Sequence, residues 1–149
     1  MRIVAVIPAR MSSSRFPGKP MALIHGMPMI GHCYSRVNLC DELDDTYVAT
    51  CDKEIFDYIE SIGGKAVMTA NTHERASDRA AEAMLRIEES SGEQIDILVM
   101  VQGDEPMDTP AMISEALAPM LKDQGVEIVN LVGRIKSEAE FEEPNTVKV

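Results

Sequence analysis

Apolar residues in this chain gather in short unbroken runs that alternate with stretches of helical periodicity. Ile3–Ile7 is the first run, Thr46–Thr50 the second and Ala66–Thr69 the third, and Ile95–Val101, which reads IDILVMV, is the strongest. Such runs mark parallel strands buried on both faces, because neither face needs polar residues. Between them, Ile30, Cys33, Val37 and Cys40 recur at helical spacing and predict a helix over about 29–39. Asp52 stands where it can cap a second helix through Ile55, Tyr58, Ile59 and Ile62, which Gly63-Gly64 stops. Ser77 or Asp78 can cap a third, carrying Ala81, Met84, Leu85 and Ile87 and ending near Gly92. A fourth, over about 111–121, is expected to kink or end at Pro119. Val126–Val132 predicts one more strand. The alternation implies a three-layer α/β domain with a mostly parallel sheet.

With 149 residues, 45% of them hydrophobic, the chain is expected to form a single domain over 1–149 with a real core. The closing TVKV reads as a strand entering the sheet with nothing after it, so the chain reads as cut short. No apolar run approaches the about 18 residues of a transmembrane helix. The opening MRIVAVIPAR has a short apolar run and no small-residue cleavage site, so it reads as a core strand rather than a signal peptide. Cys33, Cys40 and Cys51 are odd in number and form no CxxC, and with three scattered histidines they give little support to a zinc site. Reduced thiols in a cytoplasmic protein are the expectation.

Charge sharpens the picture. A net charge of -11 and a pI near 4.6 oppose a general nucleic-acid or anionic membrane surface. Yet PARMSSSRFPGKP, residues 8–20, follows the first strand directly and places Arg10, Arg15 and Lys19 together with the hydroxyls of Ser12–Ser14. Ligands of open α/β sheets collect beyond the carboxyl ends of the strands, and guanidinium, ammonium and hydroxyl groups there can cradle phosphate. The alternative is a solvated basic loop that balances an acidic chain. A Walker A loop is excluded, because Ser13 stands where its first glycine belongs and Pro20 follows Lys19. GxGxxG is absent as well.

A second landmark is VMVQGDEPM, residues 99–107. A strand ends and at once presents Gln102, Gly103, Asp104 and Glu105. A carboxylate there can hold Mg²⁺, which prefers oxygen ligands and substrate phosphates, and Gln102 offers a donor and an acceptor to a polar substrate. Gly-Asp-Glu-Pro is equally good chemistry for an exposed turn. Glu105 is as readily solvent-exposed as supporting. His32 and His73 read as surface or packing residues, the methionines as core filling, and EAEFEE, residues 138–143, as a solvated helix face.

Taken in order, IPAR, SSRFPGKP, LIHGMPMI, YVAT-D, the SDR at 77–79, VQGDEPM and PNTVKV closely resemble the 3-deoxy-manno-octulosonate cytidylyltransferase family, or CMP-Kdo synthetases, over residues 3–149. The resemblance implies a three-layer α/β/α nucleotidyltransferase fold with a Rossmann-like sheet. It implies transfer of CMP from CTP to the anomeric hydroxyl of a sugar acid, Kdo or a relative, with Mg²⁺ as cofactor and in service of lipopolysaccharide or related glycan synthesis. By similarity Arg10 and Lys19 would hold the CTP phosphates, with Arg15 and Ser12–Ser14 as weaker candidates. The backbone at Pro8–Ala9 would line the cytosine pocket, Arg79 with Ser77 would read the base, Asp104 would bind the metal, and Gln102 would lie near the sugar. Arg79 could instead pair with Glu82 or Asp78, and Ser77 could be only a helix cap. No serine-histidine pair or nucleophilic cysteine is needed.

Two departures stand out. The family usually shows Ser-Gly before its Thr-Glu/Asp-Arg, where this chain has Arg75 and Ala76. Family members also continue past PNTVKV, into a part that carries much of the sugar pocket, the homodimer contacts and a second metal-binding aspartate. A non-catalytic nucleotide-binding or interaction module is therefore the alternative.

Overall fold

The computed structural model describes residues 1–12 and 16–147. In chain order these form β1 (Ile3–Ala9), a 3-10 turn (Lys19–Met21), β2 (Leu23–Ile24), β3 (Met27–Pro28), α1 (Met29–Val37) and β4 (Asp45–Thr50). There follow α2 (Lys53–Ser61), β5 (Lys65–Met68), α3 (Ala76–Ser91), β6 (Ile97–Met100), α4 (Pro110–Lys122) and α5 (Glu138–Glu142). The chain divides into two compact units, 1–114 and 115–149.

In the first unit β1, β4, β5 and β6 make one parallel sheet in the order β5-β4-β1-β6. All seven residues of β1 are buried, as a central strand covered on both faces requires. Its alternate residues face opposite ways. Val4 and Val6, with Ala49 of β4, pack on Ala80, Ala83 and Ile87 of α3. α1 and α2 pack against the same strands through Ile30, Cys33, Val37, Ile55 and Ile59, all fully buried. Because β–α–β crossovers are right-handed, the chain runs outward from β1 through β4 to β5 with α1 and α2 on one face. It then returns through α3 to lay β6 on the other side of β1, which puts α3 on the opposite face. The expected layered α/β fold is thus present.

That reversal makes the gap between the carboxyl ends of β1 and β6 the switch point of the sheet, where open α/β folds bind ligands. PARMSSSRFPGKP leaves β1 there and QGDEP leaves β6 there.

Several local expectations change. Asp52 occupies the cap position of α2, but its carboxylate accepts a hydrogen bond from the Met11 amide (2.8 Å) instead of capping. The cap position of α3 belongs to Arg75, and neither Ser77 nor Asp78 caps it. Gly92, at φ 72, does end α3 as expected. The small ribbon β2–β3, turned by His25 (φ 49) and Gly26 (φ 83), was not anticipated. His32 Nε2 meets the Ile24 carbonyl (2.8 Å), joining this ribbon to α1.

α4 runs through Pro119 to Lys122, and the Asp123 amide still bonds to the Pro119 carbonyl (3.0 Å). In the second unit the expected strand over 126–132 does not form, and Ile128 and Val132 are 81% and 66% exposed. An apolar run becomes a strand only beside a hydrogen-bonding partner, and no strand ladder among the described residues reaches it. α5, within EAEFEE, is solvated throughout and capped by Ser137, whose hydroxyl accepts from the Glu140 amide. Lys148 and Val149 of the expected terminal strand lie outside the described residues, and Thr146 and Val147 are not in a strand. No helix among the described residues is long and apolar enough to cross a membrane.

Candidate functional site

A cavity of about 340 Å³ opens at the switch point, lined by Pro8, Ala9, Arg10, Lys19, Arg79, Gln102 and Asp104 from the residues expected on sequence grounds. Ser12, Pro20, Met29, His73, Glu74, Arg75, Ala76 and Gly103 complete it. Ser77 does not line it: α3 begins at Ala76, two or three residues earlier than anticipated, and leaves Ser77 exposed in its first turn. Ser13, Ser14 and Arg15 lie outside the described residues.

The loop after β1 is pinned at both ends of its described part. The Met11 amide donates to Asp52, and the Gly18 amide closes onto the Met11 carbonyl (2.9 Å). Gly18 has φ 72, a conformation that favours glycine, and Pro20 is buried just behind it. Between them Lys19 is directed at the opposite loop, where Nζ lies 2.7 Å from Oδ2 of Asp104. The two expected halves of the site are therefore in contact.

The loop after β6 is held as firmly. Gly103 is buried against β1, and a Cβ there would stand 2.7 Å from the Pro8 carbonyl oxygen. The Gly103 carbonyl accepts from Cys33 Sγ (3.4 Å), and farther along Arg36 Nε donates to the Asp108 carbonyl (2.7 Å). Burial, aided by the nearby Asp108 and Asp104 charges, pushes the Cys33 thiol up to about 11. It is a packing thiol, not a nucleophile. Cys40 and Cys51 are likewise free thiols.

Arg79 is 3% exposed. Its Nη1 donates to Thr69 Oγ1 and to the Ala70 carbonyl (3.2 Å). It forms no ion pair with Glu82 or Asp78, because Glu82 is taken by His73 and Arg86. A buried guanidinium held by neutral acceptors keeps its charge available to whatever enters the cavity. Arg10 Nη1 reaches the His73 carbonyl (3.4 Å). His73, expected to be a surface or packing residue, has its ring bound to Glu82 and also lines the cavity.

Among the described lining residues four cations, Arg10, Lys19, Arg75 and Arg79, face two carboxylates, Glu74 and Asp104. In a chain of net charge -11 this is a local inversion, suited to a small anion. No group of three metal-ligating side chains occurs among the described residues. Asp104 alone fits a hard divalent cation that keeps water and takes its remaining ligands from substrate phosphate, which is how Mg²⁺ is commonly held.

The strand ends pointed to Pro8–Arg10, Lys19 and Gln102–Asp104 and the family resemblance to Arg79, but His73, Glu74 and the supports of the lining went unrecognised. Asp52, Arg36 and Glu82 act across 41, 72 and up to 12 residues of sequence, and no local spacing announces such bonds.

The comparisons with known proteins agree with this geometry. Over 149 residues the chain is 45% identical to a 3-deoxy-manno-octulosonate cytidylyltransferase of Geobacter metallireducens, all of this chain matching 56% of that protein. It is 40% identical over 151 residues to one of Thermodesulfovibrio yellowstonii, covering 59% of it. The chain thus spans a little over half the length of these curated relatives. Among solved structures, a CMP:2-keto-3-deoxy-manno-octonic acid synthetase complexed with CTP superposes with a TM-score of 0.74 at 39% identity, over 85% of this chain and 50% of that one. A cytidylyltransferase of Leptospira borgpetersenii, at 24% identity and a TM-score of 0.64, shares the fold over 84% of this chain and 51% of its own. With the sequence model described as Cytidylyltransferase matching residues 4–149, the chain belongs to the cytidylyltransferase family.

Proposed function

We propose that this chain is the nucleotide-holding part of a CTP-dependent transferase that places CMP on the anomeric hydroxyl of a sugar acid, Kdo or a close relative. The observation that carries the proposal is the cavity at the β1/β6 switch point, where Lys19 and Asp104 meet beside a buried Arg79 held by neutral acceptors. Arg10 and Lys19 bind the triphosphate, with Arg15 and the Ser12–Ser14 hydroxyls in support. The backbone of Pro8–Ala9 lies along the cytosine, and Arg79 reads its edge. Gln102 orients the sugar acid.

Asp104 would hold Mg²⁺, which would supply neutralisation of charge on the triphosphate and on the departing pyrophosphate, while Lys19 lies within reach of the same phosphates. The sugar hydroxyl oxygen attacks the α-phosphorus. A new P–O bond forms as the bond to the bridging oxygen breaks, pyrophosphate leaves with that electron pair, and the hydroxyl proton passes to solvent. Such a transfer needs positioning and charge stabilisation rather than a protein nucleophile.

A second reading, a nucleotide-binding or interaction module without turnover, is favoured by one observation. β6 has β1 as its sole strand neighbour among the described residues, an open sheet edge that invites pairing with another chain. Pyrophosphate release from CTP, Mg²⁺ and Kdo separates the readings. Release that requires all three supports the transferase. Its absence, from a folded chain and also from a version extended to its relatives' length, overturns it.

A further inference from the structure

Glu82 lies in α3, three residues beyond Arg79, and its side chain is 20% exposed. Its Oε2 accepts from the Ala70 amide (2.9 Å) and contacts His73 Nε2, while its Oε1 accepts from Arg86 Nε (2.7 Å). Ala70 and His73 belong to the irregular segment 69–75 between β5 and α3, which walls the cavity through His73, Glu74 and Arg75. Two of the three cavity arginines, Arg10 and Arg79, rest on this same segment, to which the third, Arg75, belongs. Arg79 donates to the Ala70 carbonyl and Arg10 to the His73 carbonyl. Ala70 is thus gripped from both sides of its backbone, by Glu82 at the amide and by Arg79 at the carbonyl.

We propose that Glu82 is a positioning residue that fixes the 69–75 wall and, through it, the guanidinium groups of Arg10 and Arg79 toward an incoming nucleotide. The inference rests on the nucleotide-binding reading given above. A segment without helix or strand has few backbone bonds of its own, so the bonds from Glu82 decide its conformation. Pre-organised guanidinium groups bind without first paying an ordering entropy, and a loosened wall loses that advantage. The Ala70 amide, followed by His73 and Arg86, holds the Glu82 carboxyl down to about 2, so the clamp stays ionised at neutral pH.

The test is Glu82→Gln, which keeps size but leaves one acceptor oxygen for several donors. Arg86→Ala is the control, since it removes the outer partner of Glu82 without touching the wall. Amide exchange at Ala70, followed by NMR without nucleotide, reads the clamp, and CTP and UTP titration reads its consequence. We expect E82Q to exchange at Ala70 at least about tenfold faster, to bind CTP roughly tenfold more weakly and to discriminate less against UTP. R86A should stay within about twofold of the parent in both. Faster exchange with unchanged CTP affinity overturns the proposal. If E82Q does not fold, His73→Ala serves in its place: weaker CTP binding supports the clamp, and unchanged binding overturns it. If the parent chain binds no nucleotide, the functional reading fails, and Ala70 exchange in E82Q alone then supports or overturns the clamp.

Discussion

Gly103→Ala is the smallest change that should disturb the site without altering its charge. An alanine Cβ would lie 2.7 Å from the Pro8 carbonyl oxygen and 3.5 Å from both Ala9 Cβ and Ile30 Cδ1. The first contact is closer than Cβ atoms tolerate, and the atom it meets is backbone of the central strand, which cannot swing aside. The loop after β6 must therefore retreat from β1 by several tenths of an ångström. Overpacking of this kind costs about 1–3 kcal/mol, a sizeable part of the ~5–15 kcal/mol that holds a domain together. The retreat would carry Asp104 away from Lys19 and stretch the bond from Cys33 to the Gly103 carbonyl. Urea unfolding should show a lower midpoint with unchanged slope, and CTP affinity should fall roughly tenfold. Gly133→Ala, which meets nothing within 4 Å, should change neither. Parent-like stability and affinity in G103A would refute the reasoning.

Three further outcomes follow from the same geometry. Lys19→Met should leave stability within about 1 kcal/mol, because the pair with Asp104 is 37% and 51% exposed. CTP affinity should nevertheless drop at least about tenfold by calorimetry, and an unchanged affinity would remove Lys19 from the cradle. The Glu82 carboxyl is held at about 2 in the folded chain, below its ordinary value of 4.5. Its depressed value contributes stability that is present above about pH 4.5 and lost as pH falls toward 2, so the urea midpoints of parent and E82Q should converge over that window. Burial keeps the Cys33 thiol near 11, while Cys51 is only half-buried, so a thiol-specific disulfide reagent at pH 8 should modify Cys51 first and spare Cys33 until unfolding. Rapid labelling of Cys33 in the folded chain would contradict its packing.

The sheet was legible because buried parallel strands leave an unmistakable pattern, and Ile3–Ile7 and Ile95–Val101 each contain the core of a real strand. The same pattern misled at 126–132, since hydrophobicity does not reveal whether a partner strand is present. Asp52 and Ser77 misled differently. Both carry good capping chemistry, but the Met11 amide claimed the first, and the earlier start of α3 displaced the second. Within the site, strand ends gave away Pro8–Arg10 and Gln102–Asp104. The partners of Arg79 and the clamp at Glu82 depend on segment 69–75, whose path is set by tertiary bonds rather than by any local pattern.

The central claim is that this cavity holds CTP, and it is tested most directly by calorimetric titration of the chain with CTP, UTP, ATP and GTP in the presence of Mg²⁺. The account predicts saturable binding with clear preference for CTP. Equal binding of all four nucleotides, or none from a folded sample, would contradict it.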